Sequence, residues 1–167
     1  RPEINQYFIE SNTDGMPFSR AMRSVAYQRA KQELETIPFG TQRDVYEVGY
    51  EWMSHSIMAH EAPANPRIRS GEGRARMPYD ASIYNISAMS FGSLSANAVR
   101  ALNGGAKHGN FFHNTGEGGI SDHHLAAGGD LVWQIGTGYF GCRHQDGTFN
   151  EDMFKANAAL PSVRMIE

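Results

Sequence analysis

Two glycine-bearing turns separated by one short helical stretch, within residues 85–119 (NISAMSFGSLSANAVRALNGGAKHGNFFHNTGEGG), constrain this chain more than any other feature. The first turn, residues 87–92, follows the apolar Ile83, Tyr84 and Ile86, and the second, residues 114–119, follows Phe111 and Phe112. An apolar run that ends in a polar glycine turn, then a helix, then the same again, is the pattern of consecutive βα units with parallel strands. Open α/β sheets and (β/α)8 barrels both bind ligands at the carboxyl ends of their strands, so the two turns lie where a site is expected.

In the second turn, three glycines let backbone amides approach a ligand closely, while Asn114, Thr115 and Glu117 add an amide, a hydroxyl and a carboxylate. The simpler reading is a tight glycine turn after a strand. The motif lacks the Lys-Ser/Thr pair of a P-loop, which argues against a kinase or ATPase. In the first turn, Met89 and Ser90 stand between a strand and a helix whose first amides need partners, so backbone groups there can face a planar cofactor; the alternative is Met89 as core filler. Asn85 and Ser87 alternate with Ile86 and are expected on the opposite side of that strand.

Composition sets the outer limits. The 167 residues suffice for one ordinary domain, and a formal charge of -3 argues against nucleic acid or an anionic membrane as partner. Apolar residues make up 40% and charged residues 20%, as in globular proteins, and no apolar run approaches the roughly 20 residues that span a bilayer. Cys142 is the one cysteine, so neither an internal disulfide nor a cysteine metal site is available. Cytoplasm is the default expectation, with room for a membrane tether in a longer parent protein.

Along the chain, residues 4–9 read as extended and 12–15 as a turn. A helix is expected from Ser19, its N-cap, to about Thr36, with Met22, Val25, Ala26, Ala30 and Leu34 at helical spacing and Pro38 ending it. Residues 39–78 are irregular, with an aromatic-spaced patch (Val45, Tyr46, Val48, Tyr50, Trp52) and a polar linker over 67–76. Residues 1–78 therefore read as a wrapping arm with one amphipathic helix and no sheet of its own. From residue 79 to 167, apolar runs alternate with helical stretches. A helix starts at Ser95 with Ala98, Val99 and Leu102 inward; Gly104 and Gly105 imply close packing or the helix end. Residues 130–135 form a strand, 148–160 a helix carrying Met153, Phe154 and Ala158, and 164–167 open the next strand.

Other reactive residues read blandly. His108, His113, His123 and His124 lack metal-motif spacing, so no metal is expected. Cys142 fits a small buried hydrophobe better than a nucleophile. Arg67, Arg69, Arg74 and Arg76 read as a solvated linker, and Lys107 and Lys155 as helix surface charges.

The runs ISAMSFGSLS (86–95), LNGGA (102–106) and NTGEGG (114–119) closely resemble the FMN-binding synthase domain of glutamate synthase. The flanking RPEINQYF (1–8), FGTQ (39–42) and GTGYFGCR (136–143) resemble its stand-alone branch, the FMN-binding glutamate synthase family proteins, and the resemblance covers essentially the whole chain. It implies an α/β fold, the first βα units of a (β/α)8 TIM barrel, with FMN at its C-terminal face. It implies reduction of 2-iminoglutarate, formed from 2-oxoglutarate and ammonia, to L-glutamate. Electrons would come from ferredoxin or an NAD(P)H-oxidising subunit through a [3Fe-4S] cluster. Matched by motif, Met89, Ser90 and Gly92 would line the isoalloxazine, Asn114 and Thr115 would contact the flavin, and Glu117 would sit near the imine carbon as the catalytic carboxylate.

A lysine-bearing substrate loop and the cluster cysteines, which the family places later, have no counterpart here, nor does an amidotransferase domain. A closed barrel needs about 250 residues, and about three βα units fit after Pro78. The expectation is thus an N-terminal portion of a larger polypeptide that supplies part of a flavin site and is inactive alone, completed by the rest of the same barrel. Two other readings remain: a non-catalytic assembly or interaction module, and a flavin barrel acting on a related amine adduct of glutamate.

Overall fold

The structure is a computed structural model that describes residues 18–33, 44–74 and 77–167. The chain divides into two compact units, Arg1–Ile57 and Met58–Glu167. The expected extended run over 4–9, the turn over 12–15, Leu34, Thr36, the Pro38 stop and residues 39–42 lie outside the described residues.

In the first unit, α1 spans Arg20–Ala30, and Ser19 caps it as expected: its hydroxyl accepts the Met22 amide at 3.3 Å. Of the described spaced apolar residues Val25 is buried, while Met22, Ala26 and Ala30 are exposed. The helix ends earlier than the spacing predicts, because Lys31 and Gln32 turn the chain and Gln32 takes a left-handed φ of 58°. In residues 44–57 the Asp44 carboxylate accepts the Tyr46 amide at 2.9 Å, fixing a turn, and Val45, Tyr46, Val48 and Trp52 are exposed.

The second unit corrects the reading of an arm without a sheet. Two antiparallel strands, β1 (Arg67–Ser70) and β2 (Tyr79–Ser82), pair in the register Arg67 to Ser82 through Ser70 to Tyr79. Two of the supposed linker arginines hold this ribbon, Arg69 pairing with the cross-strand Asp80 at 2.9 Å and the Arg67 guanidinium donating to the Asn110 carbonyl, while Arg76 lies outside the described residues. Ile83 and Tyr84, expected in the strand before the first turn, are instead exposed. Apolar character alone did not make them core; Tyr84 packs edge-on against Phe111 at 5.6 Å.

A small parallel sheet carries the rest. Ile86 forms a parallel bridge with His113 of β3 (His113–Asn114); β3 pairs with β4 (Leu131–Trp133), and β4 with β5 (Val163–Ile166). Each strand adds beside its predecessor in chain order. Between Ile86 and β3 runs α2 (Ala96–Gly109), whose N-cap Ser95 accepts the Ala98 amide and whose C-cap Asn110 has a φ of 52°. It continues through Gly104 and Gly105, and a Cβ at either would meet nothing within 4 Å. These glycines therefore mark neither the helix end nor close packing.

Between β3 and β4 lies the one-turn α3 (Asp122–Leu125), and between β4 and β5 lies α4 (Glu151–Ala158), capped by Asn150. The core joins Val99 and Ala106 of α2 to Leu131, Val132 and Trp133 of β4 and to Cys142. Asn103, also fully buried, accepts the Gly129 amide at 3.0 Å and docks α2 onto the loop before β4. The result is a mixed α/β unit built on a small parallel sheet. Among the described residues no helix is long and apolar enough to cross a membrane.

Candidate functional site

The ladder that aligns the strands brings their carboxyl ends side by side. The Ile86 amide donates to Phe112 O and the Asn114 amide to Ile86 O; the Thr115 amide donates to Val132 O, and the Ile135 amide to Glu167 O. Residues 87–92, 114–119, 134–138 and Glu167 thus follow successive strand ends.

The two turns singled out by sequence interlock through Ser90. Its hydroxyl accepts the Gly118 amide at 3.2 Å. A Cβ at Gly116 would stand 2.8 Å from the Ser90 nitrogen, and one at Gly118 would stand 2.2 Å from the Ser90 hydroxyl. Gly116 also has a φ of 70°, so glycine is required there both by backbone conformation and by the approach of the first turn. Gly92, with a φ of 120°, turns the chain beside Ser90, whose carbonyl accepts from the Leu94 amide and the Ser93 hydroxyl.

Asn114 and Thr115 are buried and internally bonded. Asn114 Oδ1 accepts the Gly116 amide at 2.9 Å, and its Nδ2 donates to Glu167. Thr115 Oγ1 accepts the Gln134 amide at 3.1 Å and donates to Gly116 O. Both side chains set the shape of the turn from below. Glu117, by contrast, is exposed, and its side chain lies over Gly136 after β4, where a Cβ would stand 3.0 Å from the Glu117 carboxyl carbon. Asn85 acts as a bracket, donating to Ser82 O and accepting the Phe112 amide.

The loop carrying GTGYFGCR packs on the same turn. A Cβ at Gly119 would stand 2.7 Å from Phe140 O, and the Arg143 guanidinium sits 4.1 Å above the Phe140 ring. Cys142 beneath it is fully buried, and burial pushes its thiol pKa up, so it packs as a small hydrophobe.

Two histidines matter in a way the sequence did not reveal. His124 is fully buried at the end of α3; its Nδ1 accepts from Ser121, and its Nε2 bonds Met89 O at 2.9 Å. His113 is also fully buried, 5.1 Å from His124 between ring centroids, and neither of its ring nitrogens has a partner. Burial, with the nearby His124, pulls the His113 pKa down to about 4, and burial lowers that of His124 despite the Met89 bond. Among the described residues no three metal-binding side chains converge. The three-residue spacing of Ser121 and His124 signals their capping contact alone, and the bond from His124 to Met89 has no local signal. Gln134, also missed, buries an unpartnered Oε1 just past the end of β4.

A family model described as a conserved region in glutamate synthase matches residues 21–159. The glutamate synthase large subunit-like protein YerD of Bacillus subtilis (strain 168) is 27% identical over 208 residues, covering 99% of this chain and 39% of that protein. The chain thus spans well under half the length of this curated relative. No solved structure matches it. With the family's conserved region spanning both interlocked turns and the strands that carry them, the chain belongs to the glutamate synthase family.

Proposed function

We propose that the strand ends at 87–92, 114–119 and 134–138 form one wall of an FMN site in a glutamate synthase-type oxidoreductase. The observation that carries this reading is the interlock of Ser90 with Gly116 and Gly118, which packs the first two strand-end turns so closely that a Cβ at either glycine would strike Ser90. The buried, unpartnered Oε1 of Gln134 adds an acceptor at the next strand end, suited to an N–H of a planar heterocycle. Successive parallel strands added in chain order suit the opening of a (β/α)8 barrel, with residues 1–78 as the preceding arm and 79–167 as the barrel segment. The unit boundary after Ile57 leaves the β1 and β2 ribbon with the barrel segment, where it would cover a barrel end.

FMN, when bound and reduced, supplies the hydride for 2-iminoglutarate formed from 2-oxoglutarate and ammonia. Reducing equivalents would be drawn from ferredoxin or an NAD(P)H-oxidising subunit, with a [3Fe-4S] cluster that these residues do not hold. The chain's own groups have narrower tasks. Met89, Ser90 and Gly92 pack along the ring, with the Ser90 amide as the free backbone donor, while Asn114 and Thr115 hold the second turn in shape beside it. Glu117, exposed and supported on Gly136, is placed to stabilise the iminium charge or to deliver a proton. A related amine adduct of glutamate would use the same wall, and a substrate panel separates the two.

The full-length protein is expected to purify yellow and to release FMN on denaturation, with flavin content lowered by Asn114→Ala or Gly92→Val. Glu117→Gln is expected to keep the flavin while lowering turnover by about 10²-fold or more. A colourless, flavin-free protein overturns the reading.

A further inference from the structure

His124 lies in a part of the chain that neither glycine turn includes, yet its imidazole reaches the first of them. The Ser121 amide donates to Nδ1 at 3.2 Å, and a backbone N–H cannot accept, so Nδ1 must carry the lone pair. The proton of the neutral ring is then on Nε2, and that N–H donates to the Met89 carbonyl at 2.9 Å. The Ser121 hydroxyl, 2.8 Å from Nδ1, is free to rotate and donate to the same lone pair. On its other side Met89 is held as well, because its own amide donates to Asn114 O at 3.1 Å.

A trans peptide is planar with its C=O and N–H pointing in opposite directions. Turning the Met89 carbonyl toward His124 therefore turns the Ser90 N–H the other way. No described group accepts the Ser90 amide, and Gly116 lies beside it, where a Cβ would stand 2.8 Å from the nitrogen. We propose that His124 is a positioning residue that locks the orientation of the peptide between Met89 and Ser90 and so presents the Ser90 amide to the ligand of the strand ends. This rests on the flavin reading of those ends. His124 need not touch the ligand, and no proton leaves it.

The test uses the full-length protein with three variants. Gln places its Nε2 amide near the histidine Nε2 position and keeps a donor for Met89 O, whereas Asn reaches only the Nδ1 position and Phe offers no donor. FMN affinity is read by fluorescence titration, apoprotein melting by circular dichroism, and backbone protection over residues 88–91 by hydrogen exchange. His124→Asn and His124→Phe are expected to weaken FMN binding about tenfold and to speed exchange over 88–91, with His124→Gln restoring both.

Equal affinity and exchange in wild type, Asn and Gln variants overturns the proposal. So does a uniform loss in all three that tracks the melting temperature, because that is the signature of a core role alone. If wild-type protein binds no FMN, the flavin reading fails, and exchange over 88–91 still decides the positioning. Faster exchange in the Asn than in the Gln variant supports it, and identical exchange overturns it.

Discussion

Asn114 donates through Nδ2 to Glu167 Oε2 at 2.6 Å, so a buried carboxamide at the end of β3 reaches across β4 to the residue that follows β5. Its Oδ1 at the same time accepts the Gly116 amide. One side chain thus ties the second glycine turn to the end of β5. Asn114→Asp keeps the acceptor, loses the donor and sets a second carboxylate against Glu167. It is expected to destabilise the fold by about 1–3 kcal/mol at pH 7. Urea unfolding of the variant against wild type at pH 7 measures that deficit.

His113 makes the fold sensitive to acid. Its folded pKa, about 4, lies below the ordinary 6.5 because a fully buried imidazole without a hydrogen-bond partner resists charging. Between those values the unfolded chain binds the proton and the folded chain does not. Stability is therefore complete above about pH 6.5 and is lost as pH falls toward 4. The loss at pH 4.5 is on the order of 2–3 kcal/mol, and His124 acts in the same direction. His113→Leu is expected to flatten the dependence of the unfolding midpoint on pH between 7 and 4.5. An unchanged slope would assign the acid sensitivity elsewhere.

Gly104 and Gly105 carry a different prediction. They lie inside α2, and a Cβ at either enters open space. Alanine at each position is expected to stabilise by about 0.5–1 kcal/mol, raising the melting temperature, since helical glycine costs conformational entropy and nothing obstructs the methyl group. A fall in melting temperature would mean that this face of α2 is covered in the full-length protein.

Those glycines also show what the sequence could and could not convey. Local signals served well. Ser95 capped α2, the apolar run at 131–133 became β4, and Val163 to Ile166 became β5. The helix expected over 148–160 begins only at Glu151, because Asp146 engages both the amide and the hydroxyl of Thr148 in a turn. Non-local pairing was illegible. The polar Arg67–Ser70 is a strand because Asp80 and its neighbours lie opposite, and Ile83 and Tyr84 look like core yet are exposed. The contact of His124 with Met89 spans 35 positions and that of Asn114 with Glu167 spans 53, beyond any periodicity or spacing argument.

The interlock at Ser90 separates two kinds of glycine requirement. At Gly118 the obstacle to a Cβ is the Ser90 hydroxyl, 2.2 Å away, with the Ser90 Cβ at 3.6 Å. At Gly116 it is the Ser90 backbone nitrogen at 2.8 Å, and a φ of 70° disfavours any side chain. Ser90→Ala removes only the first obstacle. Gly118→Ala and Gly116→Ala are each expected to destabilise by about 1–3 kcal/mol. Adding Ser90→Ala should recover a large part of the Gly118→Ala loss and none of the Gly116→Ala loss, giving a coupling energy of about 1 kcal/mol in the first cycle and near zero in the second. Rescue stops short of full because the Gly118 amide loses its acceptor together with the hydroxyl. Coupling near zero in the Gly118 cycle as well, read by chemical unfolding, would show that the two turns do not meet through the Ser90 hydroxyl.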